Sequence, residues 1–364
     1  MSSLPASRPT VPVVTDTTAA SQEELEEASS FFVDPVASGP LSFTRCSGGV
    51  NNKCYTVFNG NGQPLGVLRI YANGNNSARV RYEHEVLRQL QERIASLSPI
   101  ELPCPMCPRD GSKLTFSTMS SGAEACYFNF IKGKGPDLKS AQSIGYATAR
   151  LSKVMADVKV DEVKFPRCNP IYQNLWEAHW KITEASFYEV VNSSVFEGVR
   201  KEMDFLVDEI KRLEALVVEI LKEDCLPRQQ LHADLHTDNC LVDEETAEVT
   251  GILDFEFTAY DWRVMELVVG ISKYAGIKEP EGPMMEYIEG YKSAGGKLTK
   301  RECELVPDLI SLRILNNVVY FVGRGLSGED SYEPITGRAG VYGKRVVWLQ
   351  TKKDWLIEQC LQLV

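Results

Sequence analysis

The chain has 364 residues, 43% hydrophobic and 24% charged, the balance of a globular protein long enough to pack two lobes. A formal net charge of −11 argues against nucleic acid as the main partner, because a phosphate backbone calls for a basic face. No apolar run reads as a membrane span. The ten cysteines are dispersed and the N-terminus lacks the apolar core of a secretory signal, so reduced thiols and a cytoplasmic setting are expected, with a weak organelle transit peptide as the alternative.

Residues 1–40 read as a Ser/Thr/Pro-rich disordered tail and an acidic leading helix over 22–28. Residues 41–131 read as a small lobe of antiparallel strands. A glycine turn carrying Ser47, Gly48, Gly49 and Asn51 joins two β-rich runs, as a loop covering nucleotide phosphates would; a plain hairpin turn is the alternative. Asn59-Gly60-Asn61-Gly62 is a strong hairpin signal, and 65–71 is the strand that follows. Arg69 stands in that apolar strand and needs an anionic partner. The next periodic stretch, a helix over 80–94, offers Glu83 and Glu85. A strand cation and a helix carboxylate are what kinases use to hold ATP phosphates, with Arg here in place of the usual Lys. Strands over 114–117 and 125–131 follow. Phe128, Phe130 and Ile131 are expected to meet adenine through their backbone, just before a Gly/Pro-rich hinge at 132–136.

Residues 132–364 read as a helical lobe. Helices are expected over 140–158, 175–191, 196–223, 264–274, 284–293, 300–322 and 342–364, with loops at 295–296 and 323–343. The stretch that organises this lobe is 230–256. It holds His232-Ala233-Asp234-Leu235-His236-Thr237-Asp238-Asn239 and, after an expected hairpin, Leu253-Asp254-Phe255-Glu256. An Asp with an Asn five residues on, then a strand ending in Asp-Phe, is the spacing of a kinase catalytic loop and metal loop. A substrate hydroxyl needs a carboxylate to orient it and accept its proton, which points to Asp234. Mg²⁺ prefers hard oxygen ligands, which points to Asn239 and Asp254. Zinc is a weaker reading of His232 and His236, because Ala233 stands where a zinc protease needs Glu.

These residues resemble the aminoglycoside phosphotransferase, choline kinase and homoserine kinase group of small-molecule kinases. Its His-Gly-Asp-x-His-x-x-Asn signature stands here as 232–239, with Ala233 for the usual Gly, and its Ile-Asp-Phe/Trp-Glu signature as 253–256. The strand around Arg69 looks like that of choline and ethanolamine kinases; Ser47–Asn52 and Phe128–Gly133 look more like the homoserine kinase branch. The resemblance covers roughly residues 41–325. It implies an α+β fold, bilobal and protein-kinase-like, with a small antiparallel sheet lobe and a mostly helical lobe, and it implies ATP and Mg²⁺ as cofactors. Arg69 would hold phosphates and Glu83, or else Glu85, would pair with it.

The acceptor is expected to be a small amino acid or amino alcohol, homoserine-like first. His236, Glu256, Tyr260, Trp262, Arg263 and Arg324 are the candidates to meet it: carboxylates and aromatic faces for an ammonium, an arginine fork for a carboxylate. Core packing and internal ion pairs are the alternative roles of those aromatics and arginines. A choline, ethanolamine or aminoglycoside kinase is the second reading, and a non-catalytic kinase-like metabolite-binding protein the third. The intact set Asp234, Asn239 and Asp254 weighs against the last.

Overall fold

The computed structural model describes residues 19–46, 52–71 and 77–364. They form two compact units. One runs to Gly133 and adds Lys159–Cys168 and Thr250–Glu256; the other holds Lys134–Val158, Asn169–Val249 and Phe257–Val364.

The first unit opens with helix α1 (Gln22–Ser30) and a short helix α2 (Pro35–Ser38). Ser21 and Glu24 close a capping box at the start of α1, which explains why so acidic a segment holds as a helix. An antiparallel sheet follows, in the order β1 (Ser42–Arg45), β2 (Asn52–Phe58), β3 (Pro64–Tyr71), β5 (Glu124–Phe128), β4 (Ser117–Thr118). Leu25 and Ala28 of α1 pack with Tyr55, Val57, Leu68, Ile70 and Tyr127 of the sheet into one apolar core. Helix α3 (Ser77–Gln91) lies between β3 and β4 in the chain. Strand β5 stops three residues before the expected end at 131, and β4 keeps only the last residue of the strand expected over 114–117.

The second unit is helical: α4 (Ala141–Met155), α5 (Glu184–Val191), α6 (Arg200–Glu223), α7 (Val264–Ser272), α8 (Glu281–Ser293), α9 (Lys300–Ser327), α10 (Glu333–Thr351) and α11 (Lys353–Cys360). Strand β6 (Arg228–Leu231) pairs antiparallel with β9 (Ala259–Trp262), in a register that sets Leu231 opposite Ala259. The hairpin expected after the Asp234 loop is β7 (Cys240–Val242) and β8 (Val249–Ile252). Its turn is tied by Asp243, whose N–H donates to the Glu248 carbonyl and whose carboxylate accepts from the N–H groups of Glu245 and Thr246.

Three expectations about this unit fail for physical reasons. The helix expected over 175–191 is a 3-10 turn, Leu175–Glu177, followed by α5, which begins at a Thr183 capping box. The loop expected over 323–343 is mostly helix. Two of its glycines are not breakers: a Cβ on Gly323 would collide with His179, and one on Gly325 with the Tyr332 ring, so both serve close packing inside and beside α9, whereas Gly328, at φ +78°, does end that helix. Finally, α9 is long and apolar enough to cross a membrane by length and composition, against the reading that no run was. Yet 72% of its apolar window is buried, as expected of the core helix that α7, α10 and α11 pack around.

Candidate active site

In the first unit the geometry is built on Arg69. It stands in β3 opposite Cys54 of β2 and Cys126 of β5, so its side chain rises from the middle of the sheet. Its Nη1 lies 2.9 Å from Glu83 of α3 and its Nη2 3.2 Å from Asp254. The guanidinium also lies over the rings of Phe128 and Tyr71, at 5.2 and 5.7 Å from their centroids. The choice between Glu83 and Glu85 is settled by side: Glu83 is buried and also accepts from the Tyr71 hydroxyl at 3.0 Å, whereas Glu85 faces Arg88 at 2.8 Å. Burial pushes the Glu83 carboxyl up, and the Arg69 charge pulls it back. Burial also works against the Arg69 charge, but Glu83 and Asp254 outweigh it and hold the cation well above its ordinary value.

Asp254 has φ +63°, a left-handed conformation that a non-glycine residue adopts at a cost, here at the point where the chain leaves β8. Glu256 accepts from the Asn52 amide at 2.5 Å. Of the residues expected near adenine, Phe128 and Ile131 are buried, and Phe130 is exposed. Ser47, Gly48, Gly49 and Asn51 lie outside the described residues.

In the second unit the loop after β6 is held from below. Glu266 of α7 is fully buried and accepts the His232 N–H at 2.7 Å. The ring of His232 accepts the Asp234 N–H at 3.2 Å, and the Tyr172 hydroxyl donates to the Ala233 carbonyl at 2.8 Å. Ala233 has φ +64°, which explains why the pattern it departs from carries glycine there. His232 is thus a brace of the loop. His236 accepts the Asp238 N–H at 3.1 Å, capping the 3-10 turn Thr237–Asn239 that delivers Asn239.

Three neighbours fix the Asp234 carboxylate. Arg313 of α9 reaches Oδ1 at 2.9 Å, His236 Nε2 lies 3.4 Å from the same oxygen, and the Asn239 amide donates to Oδ2 at 3.2 Å. Burial alone would raise this acid. The His236 and Arg313 interactions outweigh it and hold Asp234 well below the usual carboxylate range, so it is an anion at neutral pH. The Asn239 amide nitrogen also donates to the Asp234 carbonyl at 2.9 Å. With its NH₂ spent on Asp234, Asn239 has its amide oxygen left for a hard cation, which fits the Mg²⁺ role expected of it.

The remaining substrate candidates fall differently. Trp262 is 1% exposed and is core. Tyr260 is 43% exposed and presents a free face. Arg263 grips Glu302 with both ends of its fork, 2.7 Å at the closer contact, and Arg324 is buried against Glu329 and Asp330. Both arginines have internal acids. Arg313, Tyr172 and Glu266 were absent from the sequence reading. A charged residue with Asn317 four positions on, inside the apolar run of α9, was the available signal for Arg313.

The model of the APH phosphotransferase enzyme family matches residues 42–303. Among solved structures, a microcompartment-associated aminopropanol kinase superposes with a TM-score of 0.61 at 17% identity, covering 94% of this chain and 98% of that one. An amicoumacin kinase bound to AMP-PNP and Ca²⁺ gives 0.60 at 15% identity, covering 93% of each chain. An ethanolamine kinase of Plasmodium vivax gives 0.53 at 16%, covering 88% of this chain and 84% of that one. No curated protein matches this sequence. At these identities the structures establish the kinase-like α+β fold. The family match supplies the chemistry: the chain belongs to the APH phosphotransferase enzyme family and is an ATP-dependent small-molecule kinase.

Proposed function

We propose that the chain moves the γ-phosphate of ATP to the hydroxyl of a small amino alcohol or amino acid, with Asp234 as the catalytic carboxylate. The observation that carries this is the fixed, anionic Asp234, gripped by Arg313, His236 and Asn239. The acceptor oxygen attacks the γ-phosphorus, the bond to the β-phosphate oxygen breaks, ADP leaves, and the hydroxyl proton passes to Asp234. Because Asp234 is a weak base, its first task is to orient the hydroxyl and oppose charge on its proton; full transfer comes late. Arg69, steadied by Glu83, is assigned to the ATP phosphates. Asp254 and Asn239 are assigned to Mg²⁺, which neutralises phosphate charge when bound.

Tyr260, exposed and aromatic, suits an ammonium. The aminopropanol and ethanolamine kinases among the fold relatives act on amino alcohols, which favours that size of acceptor. A homoserine-like acceptor remains the first choice and choline the second. The test is ATP consumption against a panel of hydroxylated amines and amino acids, with Asp234→Asn alongside. Asp234→Asn should keep nucleotide binding and lose about 10²–10⁴-fold in turnover. Near-wild-type turnover in that folded variant would remove Asp234 from the reaction.

A further inference from the structure

Helix α9 is buried on almost every side. Between Leu305 and Arg324 only Arg313, Asn316, Asn317, Tyr320 and Phe321 are partly exposed. Counted from Arg313 the steps are three, four, seven and eight residues, so the five share one face of the helix. That face begins beside Asp234, where Arg313 meets the carboxylate at 2.9 Å. It runs about 12 Å along the helix to Phe321. It is polar at the Asp234 end and aromatic at the other.

Asn317 is tied to Asp234 through one guanidinium. Arg313 donates from Nη2 to Asp234 Oδ1 and from Nη1 to the Asn317 amide oxygen, while its Nε is buried. An arginine can only donate, so the oxygen of Asn317 must face it and the NH₂ must face away. Among the described residues no group accepts from that NH₂, and it is not buried. Two donors are therefore open, on a side chain fixed by the same cation that fixes Asp234. The Arg313 charge on the amide oxygen also polarises those two N–H groups and strengthens them as donors.

We propose that Asn317 selects the acceptor, donating its amide hydrogens to a carboxylate that the acceptor carries besides its hydroxyl. This deepens the phosphotransfer reading and rests on it for the word acceptor. Asp234 and Asn317 bond to two nitrogens of one guanidinium, so a molecule of a few carbons reaches both. The polarised donors favour an oxygen that carries charge over a neutral one. The carboxylate-reading role expected of Arg263 and Arg324, which hold internal acids, passes to this amide.

Homoserine and 3-aminopropan-1-ol differ only by the carboxylate, so the test is their calorimetric binding to the full chain, in wild type, Asn317→Asp and Asn317→Ala. Homoserine should bind wild type about 10- to 100-fold tighter, the scale of a charge-assisted hydrogen bond. Asn317→Asp keeps the shape and an oxygen for Arg313, and replaces the two donors with a charge that repels a carboxylate. It should abolish or reverse the preference. Asn317→Ala should also lose it, with melting curves confirming that each variant is folded. The preference is a ratio, so a change that weakens both compounds alike does not move it. Equal affinity for the two compounds in wild type, including no binding of either, overturns the proposal. So does a preference kept in folded Asn317→Asp but lost in Asn317→Ala, because Asn317 would then only hold Arg313 in place. Turnover of the same pair separates the two readings. Asn317-dependent binding of homoserine without its phosphorylation would sink the phosphotransfer reading and leave the amide its role as a carboxylate reader. Phosphorylation of both compounds at equal efficiency would do the reverse. A rise in KM for ATP alone in Asn317→Asp would assign the donors to nucleotide, and the proposal fails.

Discussion

Arg313 Nη2 lies 2.9 Å from Asp234 Oδ1, joining the core helix α9 to the Asp234 loop through one charged hydrogen bond. Arg313 also lies over the Tyr172 ring, 5.7 Å from its centroid, and donates to Asn317 on its own helix. The cation is thus placed by two contacts besides the carboxylate it meets. Asp234 is placed by α9 as much as by its own loop.

Arg313→Met should therefore act on the protonation of Asp234. Burial would then face weaker opposition, and the Asp234 pKa should rise. The acid limb of the pH profile of kcat should move to higher pH. Breaking a buried pair from one side costs about 3–5 kcal/mol, so a melting curve must accompany the assay. Arg313→Lys keeps the charge without the planar fork, and should recover much of the stability and little of the geometry. An acid limb that stays in place in folded Arg313→Met would show that Arg313 does not tune Asp234.

Arg69 and Glu83 should behave as one unit. Each single change leaves a buried charge behind, although Asp254 still faces Arg69 when Glu83 is lost. In a double-mutant cycle with Arg69→Met and Glu83→Gln, the two costs should fall short of additivity by about 0.5–3 kcal/mol. Nucleotide affinity should fall in each single variant. Additive costs would mean that the two residues work separately.

The motif was legible in the sequence because a linear spacing implied a local structure. The β7–β8 hairpin, the Asp234 loop and the sheet around Arg69 all rest on neighbours in the chain or on strand alternation. What stayed hidden was long-range. Arg313 lies 79 residues from Asp234, and Arg69 lies 185 from Asp254. No local period encodes such pairs. Gly323 and Gly325 misled for the same reason: their role is set by His179 and Tyr332, which only the folded chain brings against them. Arg263 and Arg324 looked available because Glu302 and Glu329 carry no mark in the sequence of the partners they take.

Ala233 should be improvable. At φ +64° an alanine pays a steric cost of about 1–2 kcal/mol that glycine does not, partly offset by the greater backbone freedom glycine loses on folding. Ala233→Gly should stabilise by up to about 1 kcal/mol, read as a shift in the denaturant midpoint at constant slope. Turnover should survive, because the bonds of the loop come from its backbone and from His232. A lower midpoint would mean that the Ala233 methyl packs better than its backbone is strained.

Glu266 should give the protein a pH-dependent stability near neutrality. Burial pushes its carboxyl up to about 7 from an ordinary 4.5, and the N–H groups of His232 and Ala233 only partly offset this. The sign follows from linkage. The folded state holds this proton more tightly than the unfolded chain does, so the contribution to stability is full below about pH 4.5 and is lost as pH rises through 7. Asp234 works in the opposite direction and in another window. Its folded pKa is depressed, so its contribution is present above its ordinary 3.8 and fades only in stronger acid. Between pH 5 and 8 the Glu266 slope should stand clear of it. Glu266→Gln keeps an acceptor for the His232 N–H and removes the titration. The variant should lose the fall in stability that wild type shows across that interval, measured by denaturant melts at half-unit steps of pH. A slope unchanged by Glu266→Gln would mean that the carboxyl titrates alike in the folded and unfolded chain, and that another group sets the neutral pH dependence.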